Sequence, residues 1–329
     1  MVPMLREAGM DVVGLDTGYY DDSDFRSPPD PVEALDLDLR DVTIDHLRGF
    51  DAVVHLGALS NDPLGNLDKT GALTFDINLH ASVNLAKAAK AAGVGRYVFA
   101  SSCSLYGAGG DGHLGETAAF HPVTAYGESK VKTELEVGPL ADSTFAPVFL
   151  RNATAYGVSR RLRADIVVNE LVGFALTTGE VMMKSDGSPW RPLTHIRDIS
   201  CGVIAALTAP ADAVRGQAFN IGRTSENFRI REVAEMVAQV VPNSRASFAA
   251  GASPDARNYR VDFAKAEKTL PGFTPTWTLR KGIEELYEAY KAHGMTKDEF
   301  HGPRYYRLKV INERIARGEL DKNLRWTNP

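Results

Sequence analysis

A tyrosine and a lysine stand four residues apart in YGESK, Tyr126–Lys130. On a helix that interval sets both side chains on one face, about 5–6 Å apart at Cβ. An ammonium beside a phenol favours the phenolate, lowers the tyrosine pKa and suits it to take a proton from a hydroxyl. The interval alone is common on helices. Upstream, however, SSCSLYG (Ser101–Gly107) places hydroxyls directly after the apolar run YVFA. Ser102 could hold a substrate oxygen while Tyr126 moves its proton, and the two segments together are far more specific than either. Cys103 reads two ways: as a thiol acid or base near a reacting carbon, or as a small apolar residue packed at a strand end. His55, His121 and His195 form no metal constellation, and no metal is expected. Trp190 beside Arg191 could stack on a base or simply pack. Arg257 and Arg260 in PDARNYRVD offer a phosphate contact, with Arg257 preferred.

The elements that must position these groups alternate. Val2–Gly9 reads as a helix, DVVGLD (Asp11–Asp16) as a buried strand, and LDLDLRD as a second acidic segment. FDAVVHLGALS (Phe50–Ser60) is a strand, residues 72–92 an amphipathic helix and GVGRYVFASS (Gly93–Ser102) a strand. Tyr126–Leu140 is a helix and PVFLRNATAYG (Pro147–Gly157) the next strand and loop. Such alternation implies crossover connections and a parallel sheet. Ligands then sit beyond the carboxyl ends of the strands, where the residues above fall. The predicted fold is α/β, a Rossmann-like doubly wound sheet, over residues 1–157. Asp16 ends the first strand and reads two ways: in a dinucleotide fold a carboxylate there accepts hydrogen bonds from an adenine-ribose and repels a 2′-phosphate, favouring NAD over NADP; otherwise it is a solvated turn residue. After residue 157 the alternation weakens. Helices at Ile166–Thr177, Arg231–Val240 and Leu279–Ala292 are separated by turn-rich SDGSPWRP and AAGASPDARN, suggesting a substrate-binding part over 158–295 with segments returning to the first domain. A charged, helical tail without a recognisable motif fills 296–329.

Composition sets the outer limits. The chain has 329 residues, 44% hydrophobic and 24% charged, with 37 Lys and Arg against 42 Asp and Glu, for a net charge of −5. No basic field speaks for nucleic acid. Two cysteines, Cys103 and Cys201, make no disulfide framework. No apolar run approaches a membrane span, and the first residues carry no export signal. A cytoplasmic protein is expected.

HLGALSNDPLG, SSCSLYG, YGESK, LRNATAYG and SDGSPWRPLTHIRDI, in this order and spacing, resemble the extended short-chain dehydrogenase/reductases, and among them the NAD-dependent nucleotide-sugar epimerases and dehydratases. The resemblance runs to about Tyr290. It implies that Ser102, Tyr126 and Lys130 are the catalytic trio and Asp16 the ribose-binding acid. Asp38 and Leu39 would lie beside the adenine, Leu56, Gly57 and Ala58 along the cofactor, with Asn78 in the following helix. Asn152 and Ala153 would approach the nicotinamide. Ser60, Cys103, Ser104, Thr154, Asn169, Arg191 and Arg257 would line the nucleotide-sugar site, Arg191 binding its phosphates through a planar fork. Thr154 departs from the family, where an asparagine is frequent. A homodimer through residues 72–92 and 126–138 is also implied.

Hydride removal from the sugar, usually at C4, would give a 4-keto sugar that can be reduced on the other face, lose water or be released. The 4,6-dehydratases carry Asp-Glu after the catalytic hydroxyl residue; this chain has Cys103 and Ser104. That favours a 4-epimerase, with a keto-sugar reductase or dehydratase-type enzyme as alternatives. One element is missing. A glycine turn of the form GxxGxxG, which brings backbone N–H groups to a pyrophosphate, does not precede DVVGLD, and Met1–Gly9 reads as the second half of the helix that should follow it. Roughly 20 residues of the expected fold are therefore absent. A late-assigned start is the preferred explanation, with a fragment or a non-catalytic nucleotide-binding pseudoenzyme as the others.

Overall fold

The computed structural model describes residues 1–25, 32–60, 70–110, 112–253 and 257–327. Strands β1 (Gly14–Asp16) and β2 (Ala34–Asp36) pair in parallel, Asp16 opposite Asp36. The central sheet takes β3 (Ala52–His55) and β4 (Arg96–Ser102). Two-residue β5 (His113–Leu114) lies apart from it. Then come β6 (Ala146–Asn152) and, after a one-residue break, β7 (Thr154–Tyr156). Beyond the loop lie β8 (Glu180–Ser185), β9 (Trp190–His195) and β10 (Gln217–Ile221). The last three are β11 (Asn227–Arg229), β12 (Arg245–Ser253) and β13 (Arg260–Val261). The central sheet is all-parallel in the order β10-β6-β4-β3. Its register sets Ser102 at the end of β4 opposite Asn152 at the end of β6.

The period-two alternation of β4 divides the core. Tyr97 and Phe99 enter one apolar cluster with Phe149 and the helical stretch 72–92, whereas Val98 enters the other with Val148, Leu150 and the Ile196–Thr208 helix. Both faces are thereby covered, as a parallel sheet requires. Residues beyond 158 thus contribute β10 and a helix to this sheet. A separate apolar cluster joins the Val167–Thr178, Ile230–Val240 and Leu279–His293 helices to β8 and β9.

Three details differ from the sequence expectation. The stretch 72–92 is helical, but Asp76–Ala81 is wound as a π-helix between two α-helical turns. The AAGAS part of AAGASPDARN is not a turn: it belongs to β12, which runs parallel to β8. Its small residues show neither β-branching nor alternation, so a strand held by its partner left no local signal. The tail is not an isolated appendage. Its helices Lys297–His301 and Arg307–Ala316 bring the chain back onto the first strands, with Ile311, Leu320 and Leu324 packed against Tyr19, Leu59, Leu73 and Ile77.

Candidate active site

Tyr126 and Lys130 lie in the first turns of the Ala125–Val137 helix, whose N-cap Thr124 accepts a hydrogen bond from Gly127 N. Lys130 is 3% exposed. Its Nζ sits 5.6 Å from the centre of the Tyr126 ring and 4.5 Å from that of Phe99, and donates to Ala100 O at 2.7 Å. Burial pulls its pKa down to about 7, partly offset by Glu134 one turn along. Ser102 caps the short helical turn Cys103–Tyr106, its Oγ accepting from Ser104 N at 3.1 Å. The hydroxyl proton of Ser102 is left for an acceptor outside that turn.

Beneath this surface lies an ion pair that the sequence reading missed. Arg151 Nη2 stands 2.6 Å from Glu134 Oε2, both side chains about 95% buried. Ser101 donates to Glu134 Oε1, and Arg151 Nη1 donates to Tyr106 Oη and Glu116 O. The network ties the helix carrying Tyr126 to β4 and β6. A Glu four residues after Lys130 was its one available signal.

The other singled-out positions divide by what their side chains already do. Cys103 is 1% exposed and donates to Arg151 O at 3.1 Å; burial raises its pKa far above the usual thiol range. Its geometry is that of a packed thiol. Ser104 Oγ and Asn152 Oδ1 are buried without a hydrogen-bond partner, both at the carboxyl edge of the sheet. Asn152 Nδ2 reaches Ser101 O at 3.4 Å, and Ala153 N donates to Ile221 O. Asn78, inside the π-helical turn, is fully buried and clasps Leu59 through N–H and C=O, which fixes the loop after β3. In that loop Leu56 is half exposed, Gly57 exposed and Ala58 half-buried. Ser60 Oγ accepts from Arg163 Nη1 at 3.0 Å. Asn169 is 1% exposed, and its amide serves Gly157 and Arg163 backbone groups; it shapes the turn after β7. Thr154 is half-buried in β7. Arg191 is buried and donates to Arg257 O, so these two expected phosphate ligands come together. His55 is buried against Ser82 Oγ, its pKa pulled down to about 3 by burial.

At the far edge, Asp16 is exposed at the end of β1 and accepts, among the described residues, from Gly18 N. Asp38 is more heavily engaged: it caps the Leu39–Asp41 turn and pairs with Arg40 at 2.7 Å and Arg325 at 3.3 Å. Hydrogen bonds and the charge of Arg40 outweigh burial and hold its carboxyl below the usual range. No group of three or more metal-ligating side chains occurs among the described residues.

The fold, a covered parallel sheet with polar residues gathered at the carboxyl ends of its strands, is that of a dinucleotide enzyme. Residues 1–222 match the NAD dependent epimerase/dehydratase family, and the chain belongs to that family. It is 27% identical over 312 residues to the UDP-glucose 4-epimerase of Corynebacterium glutamicum, covering 88% of this chain and 92% of that one. It is also 27% identical over 241 residues to an uncharacterized UDP-glucose epimerase of Bacillus subtilis, covering 72% and 73%. Among solved structures, MoeE5 in complex with UDP-glucuronic acid and NAD superposes with a TM-score of 0.75 at 28% identity, covering 88% of this chain and 94% of that one. A UDP-glucose 4-epimerase of Thermotoga maritima, 21% identical with a TM-score of 0.76, shares the fold. The family's cofactor is NAD, and the residues present fit it at two ends: an exposed carboxylate at the β1 edge, and at the carboxyl edge of the sheet an Asn152 Oδ1 buried without a hydrogen-bond partner, which a ligand would satisfy. No glycine turn precedes β1 in the sequence.

Proposed function

We propose that this chain interconverts a nucleotide sugar with its 4-epimer through a transient 4-keto sugar. The observation that carries the reading is the geometry of Lys130 against Tyr126, with Ser102 at the adjacent strand end. Tyr126 takes the proton of the sugar hydroxyl and later returns it; the buried ammonium of Lys130 favours the phenolate. Ser102 donates to the sugar oxygen and orients it. Bound NAD supplies the hydride acceptor and then the donor. Asp16 would hold the adenine-ribose, and Asn152 and Ala153 would flank the nicotinamide. Arg191, with Arg257 beside it, would hold the phosphates of the nucleotide.

Epimerisation is favoured over dehydration because the two positions after Ser102 hold no carboxylate. Cys103 is spent on Arg151 O, and Ser104 offers a hydroxyl. A uridine nucleotide is the substrate class, by analogy with the named relatives. A cytoplasmic homodimer completes the reading. No described helix is long and apolar enough to cross a membrane. The test is to incubate the chain with NAD+ and UDP-glucose or UDP-galactose and follow both sugars by NMR. Interconversion without net NADH is expected, and Tyr126→Phe should lower the rate about 10²- to 10⁴-fold while leaving UDP binding intact. Stoichiometric consumption of NADH would instead mark a reductase. Nucleotide binding without turnover, with Tyr126→Phe unchanged, would mark a pseudoenzyme.

A further inference from the structure

The tail returns to the carboxyl ends of β1 and β2, the edge at which an open parallel sheet binds its ligand and where a strand-end acid holds the adenine-ribose. Trp326 Nε1 donates to Thr17 O at 2.7 Å, the residue directly after Asp16. Arg325 pairs with Asp38 and with Asp41, which frame the turn after β2. Arg40 donates to the carbonyls of Asn323 and Leu324, and Tyr19 Oη donates to Leu324 O. Arg314 donates to Tyr19 O and pairs with Asp22 and Glu319. Apart from the Arg314–Glu319 pair, each clasp falls within about six residues of Asp16 or Asp38, and Leu324 is fully buried in the seam. Trp326 nevertheless keeps 37% of its surface exposed, beside Tyr19 and beneath Arg314. A partly exposed indole thus stands beside Thr17, the residue after the carboxylate that the family reading gives to the adenine-ribose.

We propose that the C-terminal segment is a wall of the cofactor site: Trp326 contacts the adenosine half of NAD, and Arg325 fixes Asp38 and the tail against each other to hold it there. The inference rests on the family reading of the crevice, and adds to it a part of the chain beyond the 222 residues that the family description matches. A purine offers a π-face that an indole can stack on whatever its edge chemistry. An arginine with two carboxylate partners from the turn after β2 gives the wall a fixed seat rather than a loose end.

The test is calorimetric titration of the full chain with NAD+, ADP-ribose and UDP. Trp326→Ala and Arg325→Ala should each weaken NAD+ and ADP-ribose by the same factor, about ten-fold, and leave UDP unchanged. Arg317→Ala, which removes a tail arginine paired only with its neighbour Glu319, should change none of the three. Trp326→Phe keeps an aromatic face and should retain most of the affinity, which separates stacking from loss of fold. If the parent chain binds NAD+ and both alanine variants match it within two-fold, the wall is refuted while the family reading stands. If the parent chain binds UDP but neither NAD+ nor ADP-ribose, both fail together.

Discussion

Lys130 shows how one side chain links burial to chemistry. An ammonium 3% exposed, with a carbonyl and two ring faces as its neighbours, has lost most of its hydration, and its pKa falls to about 7. The sign of the consequence is fixed. An unfolded lysine titrates near 10.4, so between about pH 7 and pH 10 the unfolded chain binds more protons than the folded one and stability rises with pH. One such group contributes at most about 1.4 kcal/mol per pH unit. Urea unfolding of the parent chain and of Lys130→Met across that range should give curves that diverge in the parent's favour as pH rises; parallel curves would mean that the ammonium is solvated. Lys130, Tyr126 and Ser102 could be singled out from spacing alone, and the structure sets Lys130 Nζ 5.6 Å from the centre of the Tyr126 ring. Glu134 and Arg151 could not. A buried ion pair has the composition of any helix and strand, and only the register of β4 with β6 reveals that it lies under the site.

At the scale of elements, that pair is the pin between the Ala125–Val137 helix and the sheet. Glu134→Gln leaves the Arg151 guanidinium buried opposite a neutral amide, and removing one partner of a buried pair costs about 3–5 kcal/mol. Exchanging both, as Glu134→Leu with Arg151→Met, should cost less than Glu134→Gln alone, because no uncompensated charge remains. Denaturant midpoints of the three chains check the order; a double variant worse than the single one would assign the pin's value to its hydrogen bonds with Ser101 and Tyr106. Strands β1, β3, β4 and β6 and the helices over 72–92 and 126–138 were readable from the sequence, whereas β2 and β5 were not read as strands. The π-turn at Asp76–Ala81 was not readable either, since it follows from where Asn78 must sit to clasp Leu59 and meet Thr133, whose hydroxyl lies 3.0 Å from Asn78 O. The same holds for β12, which owes its state to β8 rather than to its own alanines and glycine.

For the whole molecule, the tail and the surface of the Ala125–Val137 helix answer different questions. The tail's charges carried no recognisable motif because their partners Asp22, Asp38 and Asp41 lie almost 300 residues away in sequence. Contacts at such separation leave no mark on local pattern. The helix surface retains a largely exposed apolar residue: Leu135 is 61% exposed, on the same helix as Lys132, which lies 4.8 Å over the ring of Phe75. Pairing of residues 72–92 and 126–138 with those of a second copy would bury that leucine at the centre of a two-fold interface, where each copy presents the same patch. Burying a leucine fully contributes about 1.5–3 kcal/mol, and two related copies contribute it twice. Leu135→Glu would instead set two like charges against each other in the seam. Light scattering at micromolar concentration should therefore give a dimer mass for the parent chain and a monomer mass for Leu135→Glu, with the melting temperature of the variant no longer dependent on protein concentration. A parent chain already at monomer mass would leave Leu135 a solitary surface leucine and remove the dimer from the proposed function, without touching the chemistry at Tyr126.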